Sequence, residues 1–153
     1  MPPTLLRALF LLLTCASLSG ASSARASTLE IAIQGLESDA GDVEIEVFGS
    51  AQRATFPYAE RGVVAEIRIG ARALVERGGS VTLPDLAPGR YAVAVVHDAN
   101  ANGDMDFDFL GLPAERYGFS NGAHALLGPP SFDDAAVRVT PAGVTRADVQ
   151  LAR

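Results

Sequence analysis

Hydrophobic and polar residues alternate with a period of two along several short stretches of the chain. The alternation covers residues 29–33, 43–47 and 63–69, where every second position is apolar. Such alternation is typical of β-strands with one buried face. Residues 91–96 are apolar on both faces, which favours a central strand. These patterns predict the main strands of a sheet structure.

Shorter apolar runs predict three further strands, at residues 81–83, 137–139 and 144–151. Glycine and proline separate the runs, and no segment shows a convincing helical period. About seven strands in a chain of this length are typical of a β-sandwich. The prediction is an all-β protein with a single β-sandwich domain over residues 27–153.

Residues 97–135 show no strand period, and so the pattern predicts one long loop rich in glycine, aspartate and aromatic residues. Loops of this length are uncommon in compact domains unless they carry a function. The segment holds five aromatic residues, which we expect to pack on the sandwich. They are Phe107, Phe109, Tyr117, Phe119 and Phe132.

The N-terminal segment has the pattern of a secretory signal peptide. Arg7 precedes an apolar stretch over residues 8–16, small residues follow, and Ala24-Arg25-Ala26 fits the small-x-small cleavage rule. We therefore predict a signal peptide over residues 1–26 and an exported protein, either periplasmic or extracellular. Cys15 leaves a lipoprotein signal as an alternative.

The composition of the chain argues against some classes of binding partner. The 153 residues carry a formal net charge of −6, and all 12 cationic side chains are arginine. Cleavage after Ala26 removes two arginines and the single cysteine, which changes the net charge to −8 and leaves no thiol. An acidic protein is a poor ligand for nucleic acid. The mature form also has no apolar stretch long enough to span a membrane.

The strongest chemical signal is a run of carboxylate and amide side chains directly after the predicted central strand. The candidate metal ligands are Asp98, Asn100, Asn102, Asp104, Asp106 and Asp108. Ca²⁺ prefers six to eight oxygen ligands, and calcium loops place them at alternate positions before a glycine that permits a sharp turn. Gly103 occupies that position here, and Asp104 after it is expected to contribute its backbone carbonyl. The spacing predicts bound Ca²⁺.

The match to a calcium loop is incomplete. The twelfth position holds Phe109 instead of the usual bidentate glutamate, and no helices flank the loop. Asp108, one residue earlier, is a substitute. We expect weak affinity, on the order of 10⁻⁴–10⁻³ M. The alternative is that these Asn and Asp side chains only cap tight turns.

Two other residues suggest chemistry more weakly. His97 precedes the acidic loop and is predicted to share the face of Val93 and Val95, either as a buried hydrogen-bonded histidine or as a group that acts on the loop carboxylates. Ser120 lies in a G-x-S-x-G pattern, but no strand–helix elbow is predicted around it. Ser120 and Asn121 are therefore predicted to cap a turn.

Four runs in the chain together resemble an uncharacterised family of bacterial secreted proteins, domain-of-unknown-function family 2141. The runs are residues 88–93, 97–103, 111–121 and 128–135. The resemblance covers residues 28–151 and implies export and a transthyretin-like or immunoglobulin-like sandwich. Asp104 departs from the family pattern, which usually has a basic residue nearby. The resemblance implies no reaction.

Three functional hypotheses follow. The first is an exported binding or structural module of the envelope, with a calcium-stabilised loop and a protein or glycan as partner. The second is a small hydrolase that uses His97 with the loop carboxylates. The third is a calcium-free accessory module that pairs through sheet edges.

Overall fold

The structure, a computed structural model, describes residues 27–125 and 128–153. The predicted signal peptide over residues 1–26 lies outside these ranges. Eight strands form the domain: β1 (Ser27–Gln34), β2 (Asp42–Gly49), β3 (Ala65–Gly70), β4 (Ser80–Leu86), β5 (Gly89–Asp98), β6 (Arg116–Phe119), β7 (Val137–Val139) and β8 (Gly143–Gln150). The predicted all-β sandwich is confirmed.

The strands form two sheets. The smaller sheet has the order β4-β1-β8, in which β1 is antiparallel to β4 and parallel to β8. The larger sheet has the order β3-β2-β5-β6, and β7 pairs with the first residues of β5. β6 pairs with the last residues of β5, from Ala94 to His97. The central position predicted for residues 91–96 is therefore confirmed.

The main core lies between the two sheets, where the alternating aliphatic side chains meet. Every second residue of β2 is fully buried there, namely Val43, Ile45 and Val47. Leu29 and Ile31 face them from the smaller sheet as members of the same cluster. The period-two pattern of the sequence therefore reports the faces that this core buries.

A second, aromatic cluster covers the outer face of the larger sheet. Phe48 and Phe119 project from β2 and β6, and Phe56 and Phe132 pack over them from the connecting segments. Phe56 makes edge-to-face contacts with the other three rings, at centroid distances of 5.1, 5.7 and 6.1 Å. The expected packing of Phe119 and Phe132 on the sandwich is confirmed.

The single 39-residue loop predicted for residues 97–135 is wrong. β6 and the short helix α2 (Phe132–Ala135) lie within it, and a second short helix, α1 (Ala71–Glu76), follows β3. Neither helix completes two turns, and so neither establishes a helical period in the sequence. Within the described residues no helix is long and apolar enough to cross a membrane. The irregular segment that matters for the site is residues 99–115.

The outer face of β2 also carries a partly buried carboxylate, Glu46. Burial raises its pKa to about 6, and the charges of Glu66 and Glu60 contribute to the increase. A raised pKa means that the folded state binds the proton more tightly than the unfolded state does. Folding is therefore more favourable below pH 4.5, and this contribution is lost as the pH rises through 6.

We accordingly expect Glu46→Gln to stabilise the protein at pH 7.5 by about 1 kcal/mol, a value reduced for solvent screening of this partly exposed group. The difference should disappear near pH 4.5, where the wild-type carboxyl is protonated. Denaturant unfolding at both pH values measures this difference, with Glu76→Gln at an exposed position of α1 as the control. An equal effect of Glu46→Gln at both pH values would contradict the assignment.

Candidate functional site

The acidic loop begins at the buried end of β5. Asp98 is 1% exposed, and its carboxylate accepts hydrogen bonds from the backbone N–H groups of Asn102 (3.2 Å) and Gly103 (2.8 Å). Burial raises the pKa of Asp98, but backbone N–H donors from Gly103, Asn102 and Ala101 outweigh it and hold the pKa below its ordinary value. Asp98 is therefore an ionised residue around which the first turn of the loop folds.

The two asparagines form tight side-chain turns. The side-chain oxygen of Asn100 accepts from the N–H of Asn102 at 3.0 Å, and that of Asn102 accepts from the N–H of Asp104 at 2.9 Å. Gly103 has φ +83°, which the reversal of the chain requires. The Asx turns that the sequence left as an alternative are present. These turns stabilise the conformation of the loop, and their presence is compatible both with calcium binding and with a purely structural role.

Asp106 connects the later part of the loop to its first residues through hydrogen bonds. Its carboxylate accepts from the side-chain amide of Asn100 at 2.6 Å and from that of Asn102 at 3.2 and 3.3 Å. Three of the predicted ligand positions therefore meet on one side of the loop. The side chain of Asp104 lies in an exposed part of the same turn.

Asp108 belongs to a different part of the segment. Its carboxylate accepts from the backbone N–H groups of Leu110 (2.8 Å) and Leu112 (3.0 Å) and caps a tight turn there. The chain folds back at this turn, with the N–H of Ala114 bonded to the carbonyl of Asp106 at 2.8 Å. Residues 106–114 thus form a small hairpin, which we call the apolar hairpin.

The apolar hairpin exposes four large hydrophobic side chains within six residues. Phe109 is 95% exposed, and Phe107, Leu110 and Leu112 are 61%, 68% and 57% exposed. The expectation that Phe107 and Phe109 pack on the sandwich is wrong. The turn at Asp108 makes its backbone hydrogen bonds within the hairpin, so the hairpin forms without burying these side chains against the sheets.

Sequence reasoning assigned no role to one residue at the base of the hairpin, Glu115. It is 6% exposed and lies next to the side chain of Asp98. Burial raises its pKa and a backbone hydrogen bond from Asp106 opposes this, while the charges of Asp98 and Asp106 and a side-chain hydrogen bond with Asp98 raise the pKa further. Glu115 lies outside the calcium-like pattern of residues 98–109, and only the folding of the hairpin brings it back to the loop. The spacing of the motif therefore could not predict it.

His97 has the buried position that strand parity predicted, at 1% exposed. Its Nδ1 accepts from the N–H of Glu37 at 3.3 Å, and its Nε2 donates to the carbonyl of Ala40 at 2.9 Å. Both ring nitrogens are therefore hydrogen-bonded to backbone groups. This arrangement gives the side chain a structural role and leaves neither nitrogen free to act on a substrate.

Ser120 is also structural. It is fully buried, where its hydroxyl accepts from the N–H of Val93 at 2.8 Å and donates to the carbonyl of Ala135 at 2.6 Å. A serine nucleophile needs a base and an open approach, and Ser120 has backbone partners instead. Its bonds join β5 to the end of α2.

The donor set of the loop consists of oxygens, which suits Ca²⁺ or Mg²⁺ better than a transition metal. In residues 27–125 and 128–153, no three His, Cys, Asp or Glu side chains are grouped closely enough to hold a metal ion in this conformation. Any ion therefore requires the loop carboxylates to move together. Asn oxygens and backbone carbonyls would supply the other ligands.

The fold and the loop define a small β-sandwich with an acidic loop and an apolar hairpin. Residues 31–147 match the family described as "Uncharacterized protein conserved in bacteria (DUF2141)". The chain belongs to this family, as the four sequence runs indicated. Comparison with curated proteins and with solved structures found no match.

Proposed function

We propose that the protein is an exported binding module of the bacterial envelope that contacts another protein through its apolar hairpin. In this proposal Ca²⁺ held by the Asp/Asn loop orders the hairpin for contact. Export to the periplasm or the exterior is supported by the signal-peptide pattern of residues 1–26.

The observation that carries the proposal is the exposure of Phe107, Phe109, Leu110 and Leu112 on one hairpin. Isolated exposed apolar residues are normal, but four large ones within six residues of one hairpin are typical of an interaction surface. Aromatic and leucine side chains suit the apolar centre of a protein interface better than a glycan, which requires many polar partners.

Calcium fits the proposal through the chemistry of the loop. Asp98, Asp106 and Glu115 place three carboxyl groups at the start of the loop and the base of the hairpin. Asn100 and Asn102 add amide oxygens on the same side. Exported proteins also meet Ca²⁺ at concentrations that match a weak site.

The hydrolase hypothesis receives no support from the geometry. It depends on His97, whose two ring nitrogens are bonded to the backbone at Glu37 and Ala40. A general base must reach the proton that it removes, and this side chain is buried between β5 and the segment after β1.

Site-specific photo-cross-linking tests the proposed contact. A photoreactive amino acid replaces Phe109 in the full chain, which is expressed in a bacterium that makes the protein. The matched control replaces Val144 on β8, which is 66% exposed but lies outside the hairpin. We expect a discrete cross-linked envelope protein from position 109 and none from position 144.

A second substitution makes the test specific to the apolar surface. Leu112→Asp introduces a charge into the hairpin and should remove the cross-link from position 109, because a buried unpaired charge opposes docking. Val144→Asp should leave it unchanged. Identical cross-linking from both positions, or no product from position 109, would refute the proposed contact.

A further inference from the structure

The larger sheet ends in a strand whose outer edge is unpaired. Among the described residues, β3 has β2 on one side and no strand on the other. It is a regular strand, with six consecutive residue pairs to β2 and no proline. The edge of such a strand offers free backbone N–H and C=O groups to a further strand. β3 is therefore open to strand addition.

The edge strand of the smaller sheet, β4, is different. It contains Pro84, which has no N–H group, and Asp85, whose φ is +59°. Proline and an irregular backbone are features by which native sheets prevent pairing at their edges. On the opposite side of the sandwich the edges are joined to each other, through a bridge between Ser120 and Val149. β3 is thus the regular edge that these devices leave unprotected.

The hydrogen bonds between β2 and β3 indicate which backbone groups of β3 point outward. The N–H of Ala71, directly after β3, donates to the carbonyl of Gly41 at 2.9 Å. Successive residues of an antiparallel strand bond alternately to one side and to the other. The odd-numbered residues of β3 therefore bond to β2, whereas Glu66 and Arg68 direct their N–H and C=O groups to the free edge.

The charges on β3 are complementary to a second copy of the same strand. When two copies run antiparallel with Ile67 opposite Ile67, Glu66 of each copy lies opposite Arg68 of the other. Both residues direct backbone groups to the edge, and so this register forms the paired hydrogen bonds of an antiparallel ladder. A two-fold pair centred one residue earlier or later places Glu66 opposite Glu66 or Arg68 opposite Arg68. Like charges in these positions are unfavourable.

We propose that the protein forms a symmetric dimer by antiparallel pairing of β3 with β3 of a second copy, centred on Ile67. The larger sheets of the two copies join into one continuous sheet. The interface is isologous, because each copy contributes the same surface. The dimer depends neither on the proposed hairpin contact nor on calcium.

The surroundings of Glu66 favour this occupant. Glu66 lies directly opposite Glu46 in the β2–β3 pair, and its charge contributes to the raised pKa of Glu46. Within residues 27–125 and 128–153, no arginine forms an ion pair with Glu66. Arg68 of the second copy supplies a positive charge there. Its guanidinium has five N–H donors, enough to keep the ion pairs with Glu44 and Asp42 as well.

The same pairing covers apolar surface at the edge. Ile67 and Ile69 pack against the main core but are only partly buried. In the proposed register Ile67 meets Ile67 of the other copy, and Ile69 meets Ala65. Val64, which is 45% exposed, comes beside Gly70 of the other copy, where an added Cβ would have nothing within 4 Å. The second copy therefore buries side chains that β3 leaves partly open.

Dimerisation also determines how the apolar hairpins are presented. Asp98, which the acidic loop and the hairpin follow, pairs with Asp42, and Asp42 pairs on its other side with Gly70 at the end of β3. The hairpin therefore leaves the sheet at the Gly70 end. Because the two β3 strands run antiparallel, the two hairpins lie at opposite ends of the continuous sheet and can engage separate partner molecules.

Charge reversal tests the dimer and its register. Glu66→Arg places two positive charges on the edge, and Arg68→Glu places two negative charges there. In sedimentation equilibrium over a range of protein concentrations, we expect the wild type to show a monomer–dimer equilibrium. Each variant alone should have a dissociation constant raised about tenfold or more, because symmetry repeats each pair of like charges.

Mixing the two variants makes the test specific. An equal mixture of Glu66→Arg and Arg68→Glu should form heterodimers with at least the affinity of the wild type, since every charge then faces an opposite charge. Loss of folding in either variant cannot produce this recovery. Arg138→Glu, at an exposed position of β7 in the same sheet, is the control and should dimerise like the wild type.

Cysteine cross-linking is a second measurement that leaves the charges of β3 unchanged. In a Cys15→Ser background the introduced cysteine is the only one in the chain. Partners at the non-hydrogen-bonded positions of an antiparallel pair have Cα atoms about 4.5 Å apart, which permits a disulfide. Ile67→Cys should therefore form covalent dimers on mild oxidation. Ala65→Cys should form them only when it is mixed with Ile69→Cys.

Several results would overturn the inference. They are a wild type that stays monomeric at every concentration, a mixture of the two charge variants that does not recover the dimer, and dimers that survive in each charge variant alone. Where a charge variant fails to fold, the cross-linking pattern decides. Covalent dimers from position 67 and from the mixture of positions 65 and 69 support the register, and equal cross-linking from position 65 alone contradicts it.

Discussion

Phe48→Ala is expected to lower the free energy of unfolding by about 3–5 kcal/mol, as is typical of a buried phenylalanine replaced by alanine. Phe48 is fully buried on the outer face of the larger sheet, where its ring contacts that of Phe56 edge to face at 5.1 Å. Phe56 also contacts Phe119 and Phe132. The truncation therefore opens a cavity beneath the ring that holds the cluster together.

Denaturant unfolding measures this effect, with Val144→Ala at an exposed position of β8 as the control. The control should change stability by about 0.5 kcal/mol or less. Phe48→Leu, which retains much of the apolar volume, should cost less than Phe48→Ala. A loss below about 1 kcal/mol for Phe48→Ala would mean that the aromatic cluster is not a packed part of the fold.

The aromatic cluster shows one limit of the sequence pattern. Along β2 the inward positions Val43, Ile45 and Val47 repeat with a period of two, and so this strand and its buried face were predictable. The outward positions before the end of the strand hold Asp42, Glu44 and Glu46, which indicate a solvent-facing surface. Only the last outward residue, Phe48, is buried, because a distant segment of the chain covers that end of the strand.

β6 was not predictable for a related reason. Its four residues include Gly118, which the sequence pattern treats as a break. A Cβ atom at this position would lie 2.9 Å from the carbonyl carbon of Gln150, so the strand needs glycine for its close approach to β8. The glycine that lets β6 approach β8 therefore also interrupts the alternating pattern from which a strand could have been predicted.

The candidate site was predictable only where ligand positions are close in sequence. Asp98, Asn100, Asn102 and Asp106 stand at regular spacing, and the structure brings their side chains or backbone groups into one loop. Glu115 reaches the same place only because the hairpin turns at Asp108. The composition of the hairpin also gave the wrong result, since aromatic residues are equally suited to a core and to a contact surface.

The loop and the sandwich depend on each other at Gly41, directly before β2. This residue has φ +72°, and its carbonyl accepts from the N–H of Ala71 at the start of α1, at 2.9 Å. A Cβ atom here would overlap the carbonyl oxygen of Asp98 and would lie 2.6 Å from the carbonyl carbon of Ala99. The three nearest atoms all belong to the backbone of Asp98 and Ala99, so no flexible side chain can move aside to make room.

Gly41→Ala is therefore expected to destabilise the protein by about 3–5 kcal/mol, combining the strain of a left-handed alanine with a backbone clash. Gly78→Ala is a matched control, because Gly78 has φ +75° but nothing lies within 4 Å of the added Cβ. The control should show the strain alone, about 1–2 kcal/mol. Denaturant unfolding of both variants isolates the cost of the contact with Asp98.

The same pair of variants links the fold to the Asp/Asn loop. To accommodate alanine at position 41, the backbone at Asp98 and Ala99 must shift, and this shift moves the carboxylate at the start of the loop. Gly41→Ala should therefore also reduce the rise in Tm caused by Ca²⁺, while Gly78→Ala should keep it in full. Equal stability losses in the two variants would show that the loop yields freely at this contact and would contradict the predicted link.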